Sequence, residues 1–382
     1  MRDATSHDPI ETFWGTYFSK HQASEPFVAD FPIGIECSDV FDTLMNSIAC
    51  REATFNCGGV VQGTFSTGKI PNDLSGYEQF MRHTRKKYIN QNITFTRDFC
   101  LQNSNPLTDT TRKLFAPFVR TRGVSIPGIN AVVIGGIYQS TWIGLHNDHC
   151  DTFLVPLIGS KEMHLWPPGY FAPAAKPAMQ GLNGDCLGHR NVGRDLPFGQ
   201  HLTVKAGQIL HIPAGWWHYN LLPCAQLTLT LSIGVFSGAR RIDSNIVSGP
   251  FFDIPDGGLV DLNDYATDAI KGLEEALTIL KIASGGGVIA SGADCDYNPN
   301  AKSFRLRQGS NIYLVSISKR RNEWLIFSNY QFATIELDDS TLNLVAELVS
   351  GNLVSASTDT GPSHIAMEWL QRVGAVEVTL PH

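Results

Sequence analysis

No CxxC pair, no long apolar run and no excess of positive charge occur in these 382 residues, and each absence closes off a class of function. Without CxxC pairs, a structural zinc site lacks its usual ligand spacing. No apolar stretch approaches the roughly 18 residues that a membrane-spanning helix needs. The formal net charge of −7 gives no bulk basic field to draw in nucleic acid or an anionic membrane. The opening segment MRDATSHDPIETFW lacks the basic-then-apolar pattern of an export signal. The eight cysteines (37, 50, 57, 100, 150, 186, 224 and 295) are widely and irregularly spaced. They are predicted to be reduced thiols of a cytoplasmic protein rather than a disulfide framework. Charged residues make up only 17% and hydrophobic residues 43%, a globular composition able to bury a large core. The length suits two or three domains, and neither internal repeats nor low-complexity tracts are present.

Residues 1–30 read as a helix followed by an extended segment, carrying Phe13, Trp14, Tyr17 and Phe18 and then Pro26-Phe27-Val28. SGYEQFMRHTRKKY sets Tyr77, Phe80, Met81 and Tyr88 at helical spacing, with Arg82, Arg85, Lys86 and Lys87 between them. These basic residues are read as a solvated helix face rather than a polyanion site. From about residue 131, short apolar or alternating runs broken by Gly and Pro predict a β barrel or sandwich. Residues 167–200 read as a long loop, which inside a compact domain signals function or mobility. A boundary is expected at PFFDIPDGG (250–258), then a helical stretch from Leu259, LVDLNDYATDAIKGLEEALTILKIA. Strands are predicted at Phe304–Leu306, Ile312–Ile317 and Trp324–Phe327. A helix capped by Asp339-Ser340-Thr341 follows, then HIAMEWLQRV ended by Gly374, then a last strand in AVEVTL. The domains expected are 1–250, a helical segment at 251–293, and a winged-helix-like α+β module at 294–382.

The chemistry concentrates in two segments. LHNDHCDTF holds His146 and Asp148 one residue apart. On a strand, residues i and i+2 share a face, so imidazole and carboxylate would project together. His149 has the wrong parity to join them. Seventy-two residues after His146, GQILHIPAGWWHYN offers His218 behind a strand and a Pro-Gly turn. Two His and one carboxylate on one face of a metal form the facial triad of non-haem Fe(II) oxygen chemistry. The spacing alone leaves another reading open, in which His146 and Asp148 bond within a polar loop and His218 caps a core. Lys161, in the otherwise apolar SKEMHLW, bears on that choice: a buried lysine needs an anion, and the distal carboxylate of 2-oxoglutarate would supply one. Its alternative is a surface lysine beside Glu162. Thr152 shares the parity of His146 and Asp148, so its hydroxyl could reach the same co-substrate, or it could be an ordinary strand residue.

HNDHCDTFLVPLIGSKEMHLWPPG together with GQILHIPAGWWHYN resembles the JmjC-type cupin oxygenases. In that family a HxD pair, a Lys or Arg fifteen residues after the first His, and a distal His after an IPxGxxH strand-turn recur in this order. Here they fall on His146, Asp148, Lys161 and His218. FWGTYFSKHQASEPFV resembles the start of that domain, and the likeness spans about residues 10–236. The extended pattern HxDxxDxF, with Asp151 and Phe153, is most similar to the ribosomal-oxygenase branch, which hydroxylates ribosomal proteins. The resemblance implies a double-stranded β-helix (cupin/JmjC jelly roll) with flanking helices. It implies metal ligation by His146, Asp148 and His218, and Fe(II), 2-oxoglutarate and O₂ as cofactor and co-substrates. Lys161 would hold the far end of 2-oxoglutarate, and Ser232 matches a small polar residue near it. Many family members carry Asn where this chain has Thr152. Trp216 and Trp217 would buttress His218 or simply be core aromatics. That branch also implies dimerisation through 256–285 and a winged-helix tail.

The implied substrate is a side chain of a protein or peptide, either a ribosomal protein or the precursor of a natural product. A small-molecule or free amino-acid hydroxylase is the alternative class, and an N-methyl-lysine demethylase ranks last. A DNA-binding tail is disfavoured, because residues 261–382 carry nine Lys/Arg against fifteen Asp/Glu, a net of −6. The basic Lys319-Arg320-Arg321 is too short to reverse that.

Overall fold

The computed structural model describes residues 8–21, 24–35, 52–57, 60–66, 74–88, 91–97, 106–122, 128–171, 184–188, 192–235, 259–261, 281, 284, 298, 301, 303–306, 312–318, 322–329, 331–355, 361–373 and 375–378. The chain forms two compact units, Met1–Cys100 with Ile129–Ala239, and Leu101–Gly128 with Arg240–His382. No helix among the described residues is long and apolar enough to cross a membrane.

In the first unit, helix α1 (Pro9–Thr16) starts where the Asp8 carboxylate accepts from the Ile10 N–H and Pro9 presets the first turn. A π-helical turn (Tyr17–His21) and strand β1 (Phe27–Asp30) follow. Next come β2 (Glu52–Cys57), β3 (Val60–Ser66), α2 (Leu74–Lys87) and β4 (Ile93–Arg97). Helix α2 buries Tyr77 and Met81 and exposes Arg82, Lys86 and Lys87. Arg82 pairs with Glu78 one turn earlier, as on a solvated face.

The strands that follow are β5 (Ile129–Tyr138), β6 (Leu145–Asn147), β7 (Asp151–Ile158), β8 (Ser160–Trp166), β9 (Cys186–Gly188), β10 (Gln200–Lys205), β11 (Gln208–Ile212), β12 (Trp217–Asn220) and β13 (Gln226–Val235). They join two sheets, ordered β1-β11-β7-β13-β5-β4-β2-β3 and β10-β8-β12-β6-β9, with antiparallel pairing throughout. From β5 to β8 and again from β10 to β13 the chain alternates from one sheet to the other, with β8, β9 and β10 all in the smaller sheet, which is the winding of a jelly roll. Leu154 of one sheet packs with Met163, Leu165 and Val204 of the other and with Leu210 and Ile212, so these positions mark the inner face. The opposite face of the larger sheet is closed by aromatics: Trp14 and Tyr17 lie against Phe153, and Tyr17 and Phe27 against His211. The segment read as one loop at 167–200 carries β9 and a 3₁₀ turn (Leu196–Phe198), while residues 172–183 and 189–191 lie outside the described residues.

The second unit contains α3 (Pro106–Arg122), then β14 (Leu259–Asp261), β15 (Ser303–Leu306), β16 (Ile312–Ser318), β17 (Glu323–Ser328), β18 (Gln331–Glu336), α4 (Asp339–Val349), β19 (Val354–Ser355), α5 (Pro362–Arg372) and β20 (Val376–Val378). Two sheets, β14-β16-β17-β18 and β19-β15-β20, and the last two helices share a core built on Leu314, Ile326, Ile335, Val345, Leu348 and Leu370. Two expectations need correction. Leu259–Asp261 is not helical: it is a short strand that pairs in parallel with Leu314–Ser316. Of the rest of that stretch Lys281 is described, and it is helical; its other residues, the 250–258 boundary and Lys319-Arg320-Arg321 lie outside the described residues. The cap of α4 is Asp338, whose carboxylate accepts from the Thr341 N–H and hydroxyl, rather than Asp339.

Candidate metal centre

Strands β6 and β12 are neighbours in the smaller sheet, and their register sets His146 directly opposite His218. The two ring centroids are 4.1 Å apart. Asp148 follows β6 directly, two residues after His146, and the chain bends at His149 and Cys150. Its Oδ2 is 3.7 Å from His218 Nε2. One ligand atom from each of His146, Asp148 and His218 falls within 4.8 Å of the others. His149 is exposed and stands outside this group.

Backbone carbonyls orient both rings. His146 Nδ1 lies 3.0 Å from the Gly144 carbonyl and His218 Nδ1 lies 3.1 Å from the Trp216 carbonyl. A carbonyl can only accept, so each Nδ1 carries the proton and each Nε2 keeps its lone pair for a metal. Burial, and after it the neighbouring His146, lower the His218 pKa from 6.5 to about 4, against the opposing pull of Asp148. The ring is therefore neutral near pH 7, the state a ligand requires. Burial and the Asp148 carboxylate push the Cys150 thiol far up, so it stays protonated and does not compete as a ligand.

Lys161 is 2% exposed and projects from β8 on the Met163–Leu165 face, the inside of the barrel. Its Nζ donates to the Tyr138 hydroxyl at 2.7 Å and lies over that ring. Among the described residues no carboxylate pairs with it. A buried ammonium with one neutral partner has donors left for an anion to satisfy. Thr152 is buried and its Oγ1 donates to Asp148 Oδ2 at 3.0 Å. Ser232 sits opposite Leu154 on β13, and so on the inner face, half-buried. Trp217 belongs to a buried cluster with Leu145, Trp166 and Phe171, and Trp216 packs against the barrel core.

Sequence reasoning passed over Tyr138, Asn220, Thr228 and Thr230. Asn220 Oδ1, Thr228 Oγ1 and Thr230 Oγ1 are buried and without a hydrogen-bond partner. Thr228 and Thr230 share the strand parity of Ser232, so the alternation in QLTLTLS carried a signal for them. Buried orphan acceptors and hydroxyls are costly unless something else satisfies them.

No family model matches the chain, and no curated protein matches it. Among solved structures it is similar to YcfD of Escherichia coli, at 13% identity and TM-score 0.49, covering 96% of this chain and 98% of that one. A structure of YcfD described as a ribosomal oxygenase from Escherichia coli gives 14% identity and TM-score 0.44 over 96% and 97% of the two chains. Its complex with cobalt and 2-oxoglutarate gives 13% and 0.44 over 95% and 97%. At such identities and scores, the functional reading rests on the site's own chemistry.

Proposed function

We propose that the first unit is an Fe(II)- and 2-oxoglutarate-dependent dioxygenase that hydroxylates a side chain of a protein or peptide. The observation that carries this reading is the pairing of two Nε2-directed histidines and a carboxylate with a lysine buried inside the same barrel. The donor set fits the metal: two neutral imidazoles and one carboxylate suit a divalent first-row ion and leave positions open for other ligands. Bound there, the iron supplies the oxidising chemistry, in which 2-oxoglutarate and O₂ are consumed, succinate and CO₂ are released, and one oxygen atom enters a substrate C–H bond.

The protein's part is ligation, orientation and exclusion of water. His146, Asp148 and His218 hold the ion. Thr152 steadies the Asp148 carboxylate through its hydroxyl and would contact the co-substrate. Lys161, with Tyr138, grips the far carboxylate by a charge-assisted bond. Ser232 lines the same inner face. A polypeptide substrate is supported by the HxDxxDxF pattern around Asp151 and Phe153 and by the presence of a second unit able to steer a chain. The domain plan of 1–250, 251–293 and 294–382, with a winged-helix-like last module and dimerisation through 256–285, belongs to the same proposal.

The test is substrate-dependent succinate release with wild type and His218→Ala, together with a search of a digested proteome for peptides heavier by one oxygen atom. Loss of both signals in the variant is expected. Undiminished succinate from His218→Ala would sink the triad, and turnover only with free amino acids would move the substrate to the small-molecule class.

A further inference from the structure

Asp151 lies three residues beyond Asp148 on β7, with the parity of Phe153, and therefore on the opposite face of the sheet from Leu154 and the barrel interior. It is buried and is not one of the candidate metal group. Its Oδ1 accepts from the Ala214 N–H at 3.0 Å and lies 3.7 Å from His211 Nε2 on the neighbouring strand β11. Ala214 belongs to the turn Pro213–Trp216, closed by the Trp216 N–H on the Pro213 carbonyl and with Gly215 at φ 81°. That is a type II turn, with Gly where the backbone must be left-handed. The next amide, Gly215 N–H, donates to the Asp148 carbonyl at 2.7 Å. The last residue, Trp216, lends its carbonyl to His218 Nδ1.

Two successive amides of one turn are thus directed at the segment 148–151. One bond reaches the backbone of Asp148, and the other reaches the side chain of Asp151. Because the turn also holds the His218 ring, these two bonds fix the distance between ligands that lie seventy residues apart in the sequence. We infer that Asp151 is a positioning residue: through Ala214 it clamps the Pro213–Trp216 turn to the Asp148 segment and so holds His218 in register with Asp148 for metal binding. This inference rests on the proposed metal site. Its unit is a single acceptor oxygen, and the carboxylate's charge is not required.

The test is a calorimetric titration of the full chain with Mn(II), read as affinity and not as turnover. Outer partners of metal ligands typically contribute about 10- to 100-fold in affinity. Asp151→Ala is expected to weaken Mn(II) binding by about that factor. Asp151→Asn keeps an oxygen for the Ala214 N–H and is expected to stay within a few-fold of wild type. Ala214→Pro removes the donor from the other side, at a turn position where Pro is favoured, and is expected to match Asp151→Ala. The double variant Asp151→Ala/Ala214→Pro should lose no more than either single change, because both delete the same bond. Wild-type affinity in Ala214→Pro overturns the inference, as does equal loss in Asp151→Asn and Asp151→Ala. If Asp151→Ala fails to fold, Asp151→Asn and Ala214→Pro decide the matter alone. Absence of Mn(II) binding in wild type would instead refute the metal site itself, a separate failure.

Discussion

In the proposed function, Lys161 is the residue on which the choice of co-substrate turns. Its ammonium is buried with the Tyr138 hydroxyl as its hydrogen-bond partner, so a carboxylate placed beside it would gain a charge-assisted bond. Such a bond contributes about 1.5–3 kcal/mol, or about 10- to 150-fold in affinity. Lys161→Met keeps the stem and removes the charge; it should raise the 2-oxoglutarate KM by that factor, and an unchanged KM would return Lys161 to a packing role. His218 makes a different prediction, for the metal-free protein. Its pKa falls from 6.5 to about 4 on folding. Between those values the unfolded chain binds the proton more tightly than the folded one. The stabilisation is therefore complete above about pH 6.5 and is lost as the pH falls toward 4. Urea midpoints measured across that window should drop with pH in wild type and change less in His218→Gln; parallel slopes would contradict the buried neutral ring. His146, Asp148, His218 and Lys161 stood out by their order in the chain and by the family resemblance, since the spacing alone left another reading open. Tyr138 and Asn220 did not, since an aromatic at the end of a strand and an amide after HY look like ordinary core until the partner strands are placed.

At the scale of elements, hydrogen bonds between distant segments decide what the local pattern cannot. The Tyr77 hydroxyl on α2 donates to the Thr228 carbonyl at 2.8 Å and accepts from the Gly136 N–H at 3.0 Å, tying the helix to β13 and β5. Gly135 leaves room for it, because a Cβ there would collide with that hydroxyl and the Phe95 ring. Tyr77→Phe strands two buried backbone groups and should cost roughly 2 kcal/mol or more, seen as a lower urea midpoint at unchanged slope. An unaltered midpoint would show that the two groups find other partners. The periodicity of α2 and the alternation of β15, β16 and β17 were readable because each carries its own repeat. Helix α3 went unmarked because Pro117 inside it reads as a breaker. Strand β14 was hidden because three residues hold no period, and only pairing with β16 makes them a strand.

For the whole molecule, the two units have separate buried cores, one around Leu154 and Leu210 and the other around Ile326 and Leu348. A ligand stabilises the cooperative element that binds it and leaves others untouched. The candidate metal group and Lys161 all lie in the first unit. Mn(II) with 2-oxoglutarate at about 100 times the dissociation constant should stabilise that unit by about 2.7 kcal/mol, slowing by about 100-fold those amides that exchange only when it unfolds. Hydrogen exchange should therefore show new protection in β6, β7, β12 and the Pro213–Trp216 turn, and little change in β16 and β17. Equal protection in both units would show that they unfold as one, and the second unit would then sense the occupancy of the site. Protection confined to the first unit would leave the second free to act on the substrate rather than on the metal.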